Sequence, residues 1–186
     1  GAAALAGLGF QVVVGDSCRN KYGYLASPDE LRASDLNAFF ADDSIDGIVC
    51  MKGGYGTPRI LDRIDYGVVA AHPKVLAGYS DITGLHLAFR RYAGFPTFHT
   101  PMAVSMVDGF DEASAASWMA ALTTAAPLGE LQPPPGAPAP AAFVGGTARG
   151  PLVGGNLSLV AALTGTPYAL VPDGAILFLE DIDEEP

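Results

Sequence analysis

Three short apolar runs, each nearly uninterrupted, constrain this chain more than any other feature: residues 10–15 (FQVVVG), 47–51 (GIVCM) and 74–79 (KVLAGY). A strand that alternates apolar and polar residues buries one face. A continuous apolar run predicts a strand buried on both faces, as in a parallel sheet covered by helices. The segments between the runs carry helix-start signals. Ser27-Pro28-Asp29-Glu30 reads as a capping box with proline at the first helical position, followed by Leu31, Leu36, Phe39 and Phe40. Thr57-Pro58 repeats that pairing ahead of Ile60, Leu61 and Ile64, and residues 81–92 (DITGLHLAFRRY) and 111–122 (DEASAASWMAAL) complete the helical set. A fourth candidate strand ends at His99, in Phe98-His99-Thr100-Pro101. Such alternation predicts an α/β fold, a mainly parallel sheet flanked by helices.

The pattern changes at residues 127–142 (PLGELQPPPGAPAPAA), which have no helical or strand period and read as a stiff, extended linker. We therefore expect an N-terminal α/β domain over residues 1–125, a Pro-rich linker over 126–143, and the start of a second, smaller, β-rich domain over 144–186. That second part holds Gly154-Gly155-Asn156, a short apolar helix at Leu157–Leu163 and a strand at 175–179 (AILFL). The chain opens without methionine in what reads as the tail of a helix, and stops just after a strand. Both ends read as those of a fragment.

A formal net charge of −10 repels phosphate backbones and anionic lipid, so neither nucleic acid nor a membrane surface is expected as a partner. No apolar run approaches the roughly 20 residues needed to span a bilayer. The two cysteines, Cys18 and Cys50, sit among strand-like residues and are expected to be buried, reduced thiols of a cytoplasmic protein. No His, Cys and carboxylate residues cluster at ligand spacing, so neither a metal nor any other cofactor is expected.

Chemistry in an open parallel sheet gathers beyond the carboxyl ends of its strands, and two turns there stand out. Lys52-Gly53-Gly54-Tyr55-Gly56 places three glycines in four positions, which lets backbone N–H groups converge as an anion or oxyanion nest, or simply makes a tight connection. Gly78-Tyr79-Ser80-Asp81-Ile82-Thr83-Gly84 sets a serine between a strand and the next helix. Ser80 is then either a nucleophile on a sharp elbow or a helix N-cap. A serine nucleophile needs a base and an orienting group. Position alone promotes none of His72, His86 and His99, although His99 could lie near the site. Glu180, directly after the apolar run AILFL, is either a solvated strand end or a held orienter, while Asp181, Asp183, Glu184 and Glu185 read as an exposed acidic run.

Taken together and in order, six stretches resemble the LD-carboxypeptidase family, serine peptidases that trim the terminal D-alanine from murein tetrapeptides and that include the microcin C self-immunity proteins. The stretches are GYLASPDELRASDLNAFF, DGIVCMKGGYGTPRILDRID, KVLAGYSDITGLHLAF, FHTPM, GPLVGGNLSLVAALTGTPY and AILFLEDIDEEP. The resemblance implies a Ser-Glu-His triad with Ser80 as nucleophile and Glu180 as the carboxylate that orients the histidine. It implies an oxyanion hole from the N–H groups of Gly54 and Asp81, and substrate contacts from Gly53, Tyr55, Tyr79 and Asn156. The family's histidine lies in a later segment of the second domain and matches none of His72, His86 and His99. Two departures are Lys52, where the family often has Arg, and Thr100 in FHTPM, where it often has Gly. The implied enzyme is a cytoplasmic homodimer acting on murein peptide. The alternatives are a peptidyl-nucleotide hydrolase of the microcin branch and a non-catalytic, flavodoxin-like anion-binding module.

Overall fold

An apolar run becomes a strand only where a neighbour completes its hydrogen-bond ladder, and the computed structural model shows which runs find one. It describes residues 1–107, 110–131, 133 and 136–183. After a short helix α1 (Ala2–Gly7) and the helix α2 (Asp29–Ala41) comes strand β1 (Gly47–Val49), then α3 (Tyr66–Ala71), β2 (Val75–Gly78), α4 (Thr83–Tyr92) and β3 (Phe98–His99). The three strands form one parallel sheet in the order β1-β2-β3, with Gly47 opposite Val75 and Gly78 opposite His99. Helix α5 (Glu112–Thr123) follows. Beyond the proline-rich stretch, β4 (Leu152–Asn156), α6 (Leu157–Leu163) and β5 (Ile176–Glu180) make a second parallel pair, with Asn156 opposite Glu180. The expected α/β architecture is present.

Residues 10–15 form no strand. Among the described residues nothing ladders with them, so their apolar character is spent on packing: the Phe10 ring stands edge-on to Trp118 at 5.9 Å, and Val13 is exposed. Cys18 is exposed on a one-turn helix (Asp16–Arg19) rather than buried in a strand, because Asp35 accepts from the Ser17 N–H and turns the chain there. Cys50, just past β1, is half-buried; burial pushes its thiol up to about 12, so it stays protonated and unreactive near neutral pH.

The capping box also fails. Ser27 is fully buried and its hydroxyl donates to the Ser17 carbonyl, while Glu30 pairs with Arg63 instead of reaching back to the helix start. The expected helix after Thr57 is two one-turn helices (Thr57–Arg59 and Leu61–Arg63), and α3 starts only where Asp65 caps the Val68 N–H. Thr57 is occupied elsewhere, as the site shows.

The main core joins the sheet to α2, α3 and α4 through Phe40, Leu61, Val69, Leu76 and Phe89, all fully buried, with Phe40 and Phe89 in a T-shaped pair at 5.3 Å. Helix α4 is buried at every position from Thr83 to Phe89, since the sheet covers one side and the β4–α6 unit covers the other. Gly155 makes that second contact possible: a Cβ there would lie 2.5 Å from Thr83 Oγ1. Among the described residues no helix is long and apolar enough to cross a membrane.

Candidate active site

The central strand β2 aims its carboxyl end at Ser80, and Ser80 is not a helix cap. Its φ is +59°, a left-handed conformation costly for a residue with a Cβ, and the turn it opens (Ser80–Ile82) has no side-chain cap bond. A strained serine between strand and helix is the geometry of a nucleophile elbow, which lifts Oγ out of the sheet edge.

The glycine loop after β1 lies against it. A Cβ on Gly53 would sit 3.1 Å from Ser80 Cβ, 3.2 Å from Ser80 Oγ and 3.4 Å from the Asp81 nitrogen. Gly54 has φ +130°, with open space where a Cβ would go, so glycine is required there by backbone conformation and not by crowding. The Asp81 side chain is 4% exposed, and its Oδ2 accepts from Gly56 N (3.0 Å), Thr57 N (2.8 Å) and Thr57 Oγ1 (2.7 Å). This is what removes Thr57 from helix capping and ties the glycine loop to the elbow.

Glu180 arrives from the second sheet, as the last residue of β5. With Ser80, Lys52, Gly53, Gly54 and Tyr79 it lines one cleft of about 290 Å³, to which Met102, Val104 and Ile182 also contribute. The carboxyl ends of β1, β2 and β5 thus meet at one place. A wider, shallower groove of about 580 Å³ between α2 and α3 holds none of these groups. Tyr55, exposed at 82%, is not part of the cleft lining.

The three histidines separate clearly. His72 faces Asp43 at 2.9 Å, far from the cleft lining. His86 is buried beneath the elbow, with Nε2 bonded to the Gly78 carbonyl at 2.9 Å and Nδ1 to Thr97 Oγ1 at 2.8 Å. His99, at the end of β3, brings Nε2 to 3.8 Å from Glu180 Oε1, and burial holds its imidazole below the usual histidine range. Glu180 Oε1 is buried without a hydrogen-bond donor among the described residues.

Two residues behave otherwise than expected. Asp181 is no ordinary surface acid: it accepts from Asn156 Nδ2, Ser158 N, Ser158 Oγ and Ile182 N, and the Ser158 hydroxyl foremost among these holds its carboxyl down at about 2. Asn156, expected to contact substrate, is 5% exposed and engaged on both side-chain atoms, capping α6 through Leu159 N and donating to Asp181. It acts as the joint that sets β5, and hence Glu180, against α4. Sequence reasoning missed that role because Asn156 and Asp181 are 25 residues apart and meet only through strand register. Asp183 is exposed, and Glu184 and Glu185 lie outside the described residues.

The chain carrying this cleft is similar to known proteins. The LD-carboxypeptidase N-terminal domain matches residues 1–100, and the C-terminal domain of the same family matches residues 149–186. The chain belongs to the LD-carboxypeptidase family. Among curated relatives, the murein tetrapeptide carboxypeptidase of Pseudomonas aeruginosa is 36% identical over 170 residues, covering 88% of this chain and 54% of that protein. A Bacillus subtilis protein named as a probable murein peptide carboxypeptidase is 40% identical over 190 residues, covering 96% of this chain and 56% of its own length. The chain thus spans about half the length of the curated relatives it matches. Among solved structures, the muramoyltetrapeptide carboxypeptidase of Oxalobacter formigenes superposes with a TM-score of 0.79 at 25% identity, over 98% of this chain and 60% of that one. An MccF-like protein from Bacillus anthracis superposes at 0.82 and 26% identity, over 97% and 60%.

His86 supplies a test that is independent of activity. Burial holds its imidazole at about 4, although the Gly78 carbonyl pulls the other way. The folded state keeps it neutral, while an unfolded chain takes up its proton near pH 6.5. Between those values the unfolded state binds more protons, so this contribution is complete above about pH 6.5 and is lost on acidification toward pH 4. The loss should be about 3 kcal/mol, and His99 shifts in the same direction. Urea unfolding at pH 7 and pH 4.5 should show a markedly flatter pH dependence for His86→Gln than for the wild type.

Proposed function

We propose that the full-length gene product is a serine carboxypeptidase that hydrolyses the amide bond before a terminal D-amino acid, D-alanine of murein tetrapeptide. The observation that carries this reading is the strained Ser80 in one cleft with Glu180 and the glycine loop. Ser80 Oγ attacks the scissile carbonyl, and its proton passes to a histidine oriented by Glu180, which the family resemblance places in a later segment. The N–H groups of Gly54 and Asp81 hold the tetrahedral oxyanion, each such donor being worth about 3 kcal/mol. Collapse expels the D-amino acid, whose amine takes the proton from the histidine. Water then cleaves the acyl-enzyme by the same route.

Lys52 lines the cleft rim and supplies a cation for the substrate's terminal carboxylate. A lysine there acts as a point charge, where an arginine would form a bidentate fork. Gly53 and Tyr79 line the path of the peptide. The enzyme so described works in the cytoplasm as a homodimer during cell-wall recycling.

Incubating the full-length product with murein tetrapeptide should release D-alanine, read by chiral chromatography. Peptidyl-nucleotide hydrolysis without D-alanine release would move the protein to the microcin-immunity activity. Turnover of neither would leave an anion-binding role.

The glycine loop gives a second check. Gly54→Val forces a β-branched residue into φ +130°, so the loop should rotate its N–H away from the oxyanion. Since a Cβ there meets no neighbour, the stability cost is confined to backbone strain of about 1–3 kcal/mol, and we expect kcat to fall by about 10²–10³-fold, well beyond any loss of folded protein. Unfolding in step with the activity loss would identify a purely structural turn.

A further inference from the structure

The Asp81 carboxylate has no assigned part in the reaction, yet its placement is unusual. A single oxygen, Oδ2, gathers three donors from Gly56 and Thr57, while Oδ1 is buried without a donor among the described residues. Leaving a carboxylate oxygen unpaired in the interior is costly, so the position is not explained by stability alone. The loop it grips is also held from the opposite side. Gly56 O accepts from Arg32 Nη1 at 3.0 Å, and Arg32 is itself fixed by Asp29, which Arg59 also binds. The Gly56–Thr57 peptide unit is therefore clamped at both ends, by the elbow through the Thr57 N–H and by α2 through the Gly56 carbonyl.

We propose that the Asp81 side chain, with Arg32 as its counterpart, is a positioning device that sets the spacing between the two oxyanion donors. The inference rests on the reading of Gly54 and Asp81 N–H as those donors. Asp81 supplies one donor from its own backbone. Through its side chain it fixes the far end of the loop that supplies the other, only two residues beyond Gly54. The separation of the donors is then set by one residue's internal geometry, not by the packing of two independent loops. A shift of a few tenths of an ångström at Gly56 would be passed on to Gly54, two residues away, where no atom lies within 4 Å of the Cβ position.

The test compares Asp81→Ala, Asp81→Asn and Arg32→Met in the full-length protein. Its readouts are amide exchange at Gly56 and Thr57, the labelling rate of Ser80 by a fluorophosphonate, the KM and kcat for murein tetrapeptide, and Tm. A fluorophosphonate seats its phosphoryl oxygen where the oxyanion forms, so labelling reports donor geometry without depending on the natural substrate. Asp81→Ala should slow labelling by about 10²–10³-fold, the effect of losing one donor, with KM changing less than about threefold and exchange accelerated at Gly56 and Thr57. Asp81→Asn keeps an acceptor and should restore part of the rate. Arg32→Met should show the same pattern more weakly, and the double variant should lose less than the product of the two single losses, because both anchors act through one peptide unit.

If Asp81→Ala does not fold, Asp81→Asn and Arg32→Met carry the same criteria. Folded variants that label at the wild-type rate would overturn the clamp while leaving the hydrolase reading intact. So would a labelling loss equal to the unfolded fraction. A wild-type protein that is not labelled at Ser80 would overturn both.

Discussion

Replacing Ser80 by alanine should lower kcat by about 10⁴-fold or more while the fold is kept. The structure sharpens this expectation in two ways. Ser80 sits at φ +59°, where alanine is no better accommodated than serine, so the strain of the elbow is unchanged and no stabilisation from relief should appear. Nor does the hydroxyl cap the turn it opens, so the loss of about 1 kcal/mol that follows removal of an N-cap is not expected. Tm should therefore stay near wild type while D-alanine release and fluorophosphonate labelling both vanish. A variant with near-normal turnover would remove the serine mechanism altogether.

Glu180→Gln should be nearly as damaging, lowering kcat by about 10³–10⁴-fold with KM little changed. Glutamine keeps the size of the side chain and its place opposite Asn156 at the end of β5. It exchanges an acceptor-only carboxylate for an amide that cannot select the required tautomer or stabilise an imidazolium. The buried Oε1 without a donor is the atom that this substitution neutralises. Were Glu180 only a strand end, turnover would change by a few-fold at most. His99→Gln is the informative companion. With the base in a later segment, His99→Gln should cost less than about tenfold, since His99 touches Glu180 only at 3.8 Å. A loss as large as that of Ser80→Ala would make His99 the base and replace the histidine assigned from the family resemblance.

Several elements were legible from local chemistry because local chemistry decides them. Helix α5 follows its Asp111 cap, which accepts from Ser114 N. Helix α6 runs over the residues expected of it, and the apolar runs at β1 and β2 pair as a parallel sheet. The elbow and the glycine loop were visible as a serine and a glycine cluster at strand ends. The sequence left open whether Ser80 caps a helix, and its backbone conformation answers that. Local reading failed where a residue's partner lies far along the chain. Ser27 matches a capping box, but a carbonyl ten residues earlier takes its hydroxyl. Thr57 matches a helix start, but Asp81, 24 residues on, takes both its donors. Residues 10–15 have strand composition, yet strand formation depends on a neighbour that composition cannot supply.

By itself, then, the sequence determined the strand-and-helix alternation, the place of Ser80 at a strand end, the glycines beside it and the carboxylate closing the last strand. Each of these depends on residue type and near neighbours, through backbone freedom, propensity and apolar period. Only the tertiary structure decided that these groups share one cleft, that Asp81 grips the glycine loop, and that Asn156 and Asp181 seat Glu180. Those contacts join residues 24 and more positions apart, and their distances are fixed by strand register and helix packing, which no local stretch of chain encodes.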